Sequence, residues 1–153
     1  MLLLWTGLLS DILDGVLARR LGVASGPLRL ADSVVDGVFA LCIGAALYVQ
    51  FTAQLTAMWP LVLAYLGTDV LGWLLDLRKF GRLAAYHAYS TKLTGLLLAA
   101  AATRLALSGE GDLLRVALIV GILNHLERAL MTALLPRWTP DVPTLWHAWH
   151  RRG

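Results

Sequence analysis

Long apolar blocks separated by short polar punctuation run the length of the chain. Five such blocks, at about 2–21, 30–49, 57–77, 85–107 and 113–135, each hold close to 20 residues. A helix needs about 20 mostly apolar residues to cross the hydrocarbon of a bilayer. The pattern therefore predicts an all-α protein, a polytopic transmembrane bundle of five membrane helices forming one membrane domain over residues 1–153. No stretch between the blocks is long enough for a soluble domain, and no repeat period or low-complexity tract is visible. Gly22 and Gly26 have the small-xxx-small spacing, but they fall in a connection and predict no helix pairing there.

The connections alternate in charge. Arg19, Arg20 and Arg29 flank the first, and residues 50–56 of the second carry no charge. Arg78, Lys79 and Arg82 lie in the third, with Lys92 just beyond, whereas the fourth, Ser108 to Asp112, is acidic between Arg104 and Arg115. Arg128, Arg137, Arg151 and Arg152 mark the C-terminal end. Basic residues concentrate on the cytoplasmic side of membrane proteins. The first and third connections and the C-terminus are thus expected in the cytoplasm and the N-terminus outside, in the plasma (inner) membrane if the source is bacterial. Trp5, Trp59 and Trp138 sit near block ends, where interfacial aromatic belts form. The closing Trp146-His-Ala-Trp-His-Arg-Arg152 reads as a short amphipathic segment lying on the bilayer.

Composition sharpens this picture. Of the 153 residues 58% are hydrophobic and only 15% charged, against about a quarter charged in a soluble domain, so lipid is the expected solvent. A net charge of +3 is too small to argue for nucleic acid. The single cysteine, Cys42, excludes a disulfide framework and reads as a small core hydrophobe. The N-terminal block has no basic leader and meets two aspartates where a cleavage site should fall, so it reads as a membrane helix rather than a signal peptide. His147 and His150 have no third ligand nearby, and His87 and His125 read as structural.

Four of the ten acidic residues fall between Asp11 and Asp36, in or beside apolar helices. Carboxylates inside a membrane are costly and point to function. At about 100° per residue, Asp11 and Asp14 lie about 60° apart on one helix face, with Ala18 on the same face, and Asp32 and Asp36 about 40° apart on the next helix. A short connection makes the two helices antiparallel neighbours, so all four carboxylates can converge near one end of the pair. Four close carboxylates repel one another and require protonation or cations. All-oxygen ligands suit hard divalent ions, and two such ions about 4 Å apart form a known clamp for phosphoryl transfer.

The residues Asp11-Ile-Leu-Asp-Gly-Val-Leu-Ala-Arg19, followed by Asp32-Ser-Val-Val-Asp36, resemble the D-x-x-D-G-x-x-A-R…D-x-x-x-D signature of the CDP-alcohol phosphatidyltransferases. Weaker resemblance covers nearly the whole chain, including the Ser-Thr-Lys-Leu-Thr-Gly stretch around Lys92 and the end from Glu127 to Asp141. The resemblance implies that Asp11, Asp14 and Asp32 hold two divalent cations, Mg2+ or Mn2+, and that Asp36 also contacts metal and acts as general base. It implies that Gly15 and Ala18 give close access to the cytidine end and that Arg19 binds phosphate. The implied reaction is attack by an acceptor alcohol on the lipid-linked phosphorus of a CDP-alcohol such as CDP-diacylglycerol, releasing CMP, in a homodimer embedded in membrane lipid. A glycine near a ligand permits close backbone approach, and arginine pairs bidentately with phosphate. The basic group Arg78, Lys79, Arg82 and Lys92 would suit a phosphate-bearing acceptor such as glycerol 3-phosphate, and equally suits plain positive-inside topology.

Two departures stand out. The signature has glycine four residues before the third aspartate, where this chain has Leu28, with Gly26 two residues earlier. Family members usually have six membrane helices, one preceding the motif helix, so the chain is expected to lack that first helix. The competing functions are an inactive homologue with a structural or binding role, motivated by Leu28 and the missing helix, and a cation or proton transporter. A transporter would more often show repeated halves with interrupted helices. A prenyl-type transferase leaves the G-x-x-A-R continuation unexplained. Asp69, inside the third block, reads either as a cavity residue or as one end of an interhelical hydrogen bond.

Overall fold

A computed structural model describes residues 2–21, 26–86 and 88–152, apart from the side chains of residues 11, 12, 14–16, 18–20 and 26–33. His87 lies outside the described residues. All regular structure among them is helical: α1 (Leu2–Arg20), α2 (Gly26–Gln50), α3 (Thr52–Ala57), α4 (Trp59–Phe80), α5 (Tyr89–Ser108), α6 (Asp112–Leu134) and α7 (Leu145–His150). Each of the five apolar blocks is thus a helix. Three of them start elsewhere than the hydropathy suggests, the fourth at Tyr89, four residues late. The second begins at Gly26, four residues early, with Pro27 in its first turn, where a missing N–H leaves no bond unmade. The third begins at Trp59, two residues late: the separate six-residue α3 in the connection before it stops at Ala57, and α4 starts with Pro60 in its first turn. Proline cannot continue a helical ladder from the preceding turn.

Among the described residues, length and apolarity single out α4 as able to cross a membrane, and Val34–Gln50 of α2 forms a shorter apolar stretch. The surface of α4 is the reverse of a water-soluble helix. Leu63, Leu66, Val70, Leu74 and Leu77 are exposed, while Gly72 and Asp76 are its buried residues. Apolar residues outward and polar residues inward is the arrangement a hydrocarbon solvent selects. Cys42 corrects the sequence reading for the same reason: it is exposed on α2 rather than part of a core, because an apolar run in such a helix need not face protein.

The chain divides into two compact units, residues 1–52 and 53–153. In the first, α1 and α2 approach closely at Gly7, where a Cβ would collide with the Phe39 ring. In the second, α6 is the central helix, packed against α4, α5 and α7. Its inner face buries Ala117, Leu118, Gly121, Asn124, His125 and Thr132, while Val116, Ile119, Leu123, Leu126 and Leu130 face outward. Pairings between Thr68 and His125, Asp69 and Arg128, and Asp76 and Thr132 rise together along α4 and α6, so these two helices run parallel. The Thr91 hydroxyl bonds Asn124 from the first turn of α5, which returns antiparallel. Left-handed glycines, Gly81 (φ 68°) and Gly109 (φ 74°), end α4 and α5.

The 81–88 connection and the C-terminal tail meet at one end of this unit. Tyr86, Met131, Leu135, Val142 and Ala148 form a core there, flanked by Phe80, Ala84 and Leu145. The tail is stitched on by backbone bonds: the Asp141 N–H donates to the Ala85 carbonyl (3.0 Å), and the Tyr89 N–H to the Pro143 carbonyl (3.1 Å). Trp138 is part of this packing. Its indole N–H donates to the Leu83 carbonyl (3.0 Å), and the Arg82 guanidinium lies over its ring (4.1 Å). The acidic fourth connection folds back on Arg104, which pairs with Glu110 (2.6 Å) and Asp112 (3.3 Å).

Candidate active site

The signature residues occupy the two helices of the first unit. Asp11, Asp14, Gly15, Ala18 and Arg19 lie on α1, and Leu28, Asp32 and Asp36 on α2. Among them Asp36 alone has a described side chain, and it is exposed. The side chains of Asp11, Asp14, Ala18, Arg19, Leu28 and Asp32 lie outside the described residues. Along each helix, Asp11 and Asp14 are three residues apart on α1 and Asp32 and Asp36 four apart on α2, so each pair falls on one helix face. Among the described residues no three His, Cys, Asp or Glu side chains cluster as a metal site. The donor chemistry of the four signature carboxylates, all hard oxygens, fits magnesium or manganese and not a soft metal.

The basic residues near the 81–88 connection have divided duties. The Lys79 ammonium donates to the carbonyls of Thr132 and Ala133, both at 2.8 Å, capping the C-terminal end of α6, where cations are favoured by the helix dipole. Arg82 stacks on Trp138, and the Lys92 ammonium stands 5.8 Å from the Tyr89 ring. Arg78 lines a shallow groove of about 290 Å³ with Leu75, Lys79, Ala129 and Thr132. Lys79 and Arg82 thus have structural partners that residue counting does not foresee.

Two polar clusters between α4 and α6 have no counterpart in the sequence reading beyond the mention of Asp69. In the first, Asp69 pairs with Arg128 (3.1 Å) and stands 3.8 Å from His125. Arg128 also donates to the Asp69 backbone carbonyl (3.2 Å). Gly72 makes room for it, since a Cβ there would overlap the guanidinium. Asp69 is therefore an interhelical partner, one of the two roles its position allows. In the second, the Thr132 hydroxyl donates to Asp76 Oδ1 (2.6 Å), and the Ala84 N–H donates to Oδ2 (3.2 Å). Thr132 has spent its one proton, so Tyr86, whose oxygen is 2.8 Å away, donates to it. Burial pushes the Tyr86 phenol up, with the Thr132 hydrogen bond acting in the other direction. The relay fixes the 81–88 connection against α4 and α6.

The chain matches the CDP-alcohol phosphatidyltransferase family over residues 1–135, which spans both signature helices and α4 to α6. It belongs to that family, whose members are membrane-associated transferases that move a phosphatidyl group from a CDP-alcohol in phospholipid biosynthesis. No curated protein and no solved structure matches the chain significantly.

Proposed function

We propose that this chain transfers the substituted phosphate of a CDP-alcohol, such as CDP-diacylglycerol, to a small acceptor alcohol, with release of CMP. The observation that carries the reading is the complete set of four signature aspartates with Gly15, Ala18 and Arg19 on two consecutive helices. The spacing of three and four residues, which puts each aspartate pair on one helix face, supports their acting on one ligand. Asp11, Asp14, Asp32 and Asp36 would hold two divalent cations, magnesium or manganese. Bound there, the cations would supply charge neutralisation at the diphosphate. Arg19 would hold a phosphate oxygen bidentately, and Gly15 and Ala18 would leave room for the cytidine. Asp36 would accept the proton of the acceptor hydroxyl as its oxygen bonds to the lipid-linked phosphorus and the bond to CMP breaks.

The finer assignments follow from the same reading. Helices α1, α2, α4, α5 and α6 would form a five-helix membrane bundle, the 21–26 and 81–88 connections facing the cytoplasm, in the inner membrane of a bacterial source. Arg78 and Lys92 would be the members of the basic group that hold the phosphate of an acceptor such as glycerol 3-phosphate, because Lys79 and Arg82 have partners of their own. That acceptor would make the chain phosphatidylglycerophosphate synthase-like, working as a homodimer. Leu28 favours a second reading, an inactive homologue, since it stands where the signature has glycine.

The test is CMP release from CDP-diacylglycerol by the reconstituted chain. Release that needs a divalent cation and is abolished by Asp14→Asn is the expected result. Full release in excess chelator refutes the two-cation site, and no release with any acceptor favours the inactive homologue.

A further inference from the structure

The tail beyond residue 135 lies outside the family match, yet it is an ordered part of the second unit. Helix α7 is held from inside: Ala148 is fully buried, and the Leu145 N–H donates to the Glu127 carboxylate (3.1 Å). Its other side is open. Trp146 is 65% exposed and Trp149 49% exposed, an unusual degree for the largest side chain. Each indole carries a basic group on its face. The His150 ring lies 3.7 Å from that of Trp146, and the Arg152 guanidinium 3.4 Å from that of Trp149. Arg151 is exposed beside them, and Arg137 opens the tail. After Glu127 the only acidic residue is Asp141. The tail packs beside the 81–88 connection, where the apolar surface of α4 ends in Arg78 and Lys79.

We propose that this tail is a clamp for anionic phospholipid headgroups on the membrane surface around the chain. Indoles favour the headgroup layer, where one part of the ring is in hydrocarbon and the N–H is in water. Arginines beside them meet the negative surface of an anionic leaflet, each favouring it roughly fivefold. The occupant follows from charge complementarity: among the described residues, an open face of two indoles edged by Arg151 and Arg152 presents cations and apolar rings, while the Glu127 carboxylate is engaged on the inner side by the Leu145 N–H. The fixed backbone of α7 presents the two indoles without an ordering step. The proposal concerns the tail alone and is independent of catalysis.

The experiment uses the full chain in nanodiscs containing phosphatidylcholine with a fixed fraction of phosphatidylglycerol. Acyl chains brominated near the carbonyl are placed on one lipid or the other. Quenching of Trp146 and Trp149 is obtained as the difference between the parent and W146F/W149F. The four remaining tryptophans report insertion of the chain. The expected result is stronger quenching of the tail pair by brominated phosphatidylglycerol than by brominated phosphatidylcholine. That preference should fade in molar salt and be lost in R151Q/R152Q, which removes roughly a 25-fold bias. Equal quenching by the two lipids overturns the proposal, as does a tail pair left unquenched while the other four are quenched. Quenching of none overturns it together with the membrane reading. Shielding of the pair only in discs holding two chains assigns the face to a second copy and also overturns it.

Discussion

Removing the Thr132 hydroxyl tests how the polar relay holds the α4–α5 connection. Thr132→Val keeps the side-chain shape and deletes both hydrogen bonds of the oxygen, the one it donates to Asp76 (2.6 Å) and the one it accepts from Tyr86 (2.8 Å). All three residues are buried: Thr132 is 2% exposed, Asp76 1% and Tyr86 4%, so water cannot replace what is lost. A hydrogen bond to a charged group contributes about 1.5–3 kcal/mol and a neutral one about 0.5–1.5 kcal/mol. Together the two deletions should destabilise the chain by about 2–4 kcal/mol. Tyr86→Phe removes only the neutral bond and should cost about 1 kcal/mol. The double variant should cost less than the sum, because the Tyr86 bond is already broken in Thr132→Val. Thr132→Ser should recover most of the loss. The assay is unfolding of the detergent-solubilised chain, followed by circular dichroism against temperature or denaturant, with all four variants compared in one detergent. A folded Thr132→Val chain within about 0.5 kcal/mol of the parent, the range expected of a neutral surface change, would refute the relay.

Asp36→Asn should lower turnover by about 10²–10⁴, the usual cost of a lost general base, while CDP-diacylglycerol still binds; metal occupancy measured on the same variant separates loss of the base from loss of a ligand. Parent-like turnover with both metals retained would show that the base lies elsewhere. Leu28→Gly, which restores the signature glycine, should preserve or raise CMP release, and a large loss would mean that the connection has a different register. Gly72→Ala should cost about 1–3 kcal/mol, because the added methyl overlaps the Arg128 guanidinium; thermal unfolding unchanged from the parent would place Arg128 elsewhere.

The apolar blocks made the helices legible to within a few residues, since block length and helix length are set by the same rise per residue. What they did not reveal was polar tertiary pairing. Asp76 has Lys79 three residues on and Asp69 seven back along α4, but neither spacing shows that its partner lies on another helix. Its partner, Thr132, is 56 residues away and chemically unremarked in sequence. Lys79 and Arg82 read as free cations because their partners are a carbonyl terminus and an indole face, neither of which has a sequence signature. Cys42 was misread because apolar context marks burial only when water is the solvent. The signature was readable for the opposite reason: its spacings are local, three and four residues along single helices, and need no knowledge of distant packing.

The parallel pairing of α4 with α6 sets an order on how the chain is made. Asp69 and Asp76 leave the ribosome more than fifty residues ahead of Arg128 and Thr132, the groups that satisfy them. In a bilayer α4 therefore arrives with two carboxylates lacking their partners, and α5 must turn back before α6 can supply them. Until α6 is delivered, α4 is a helix whose insertion is incomplete in energy even if complete in position. A chain halted within α6 before residue 128 should lose α4 to the quality-control proteases of the membrane, although every residue of α4 would be present.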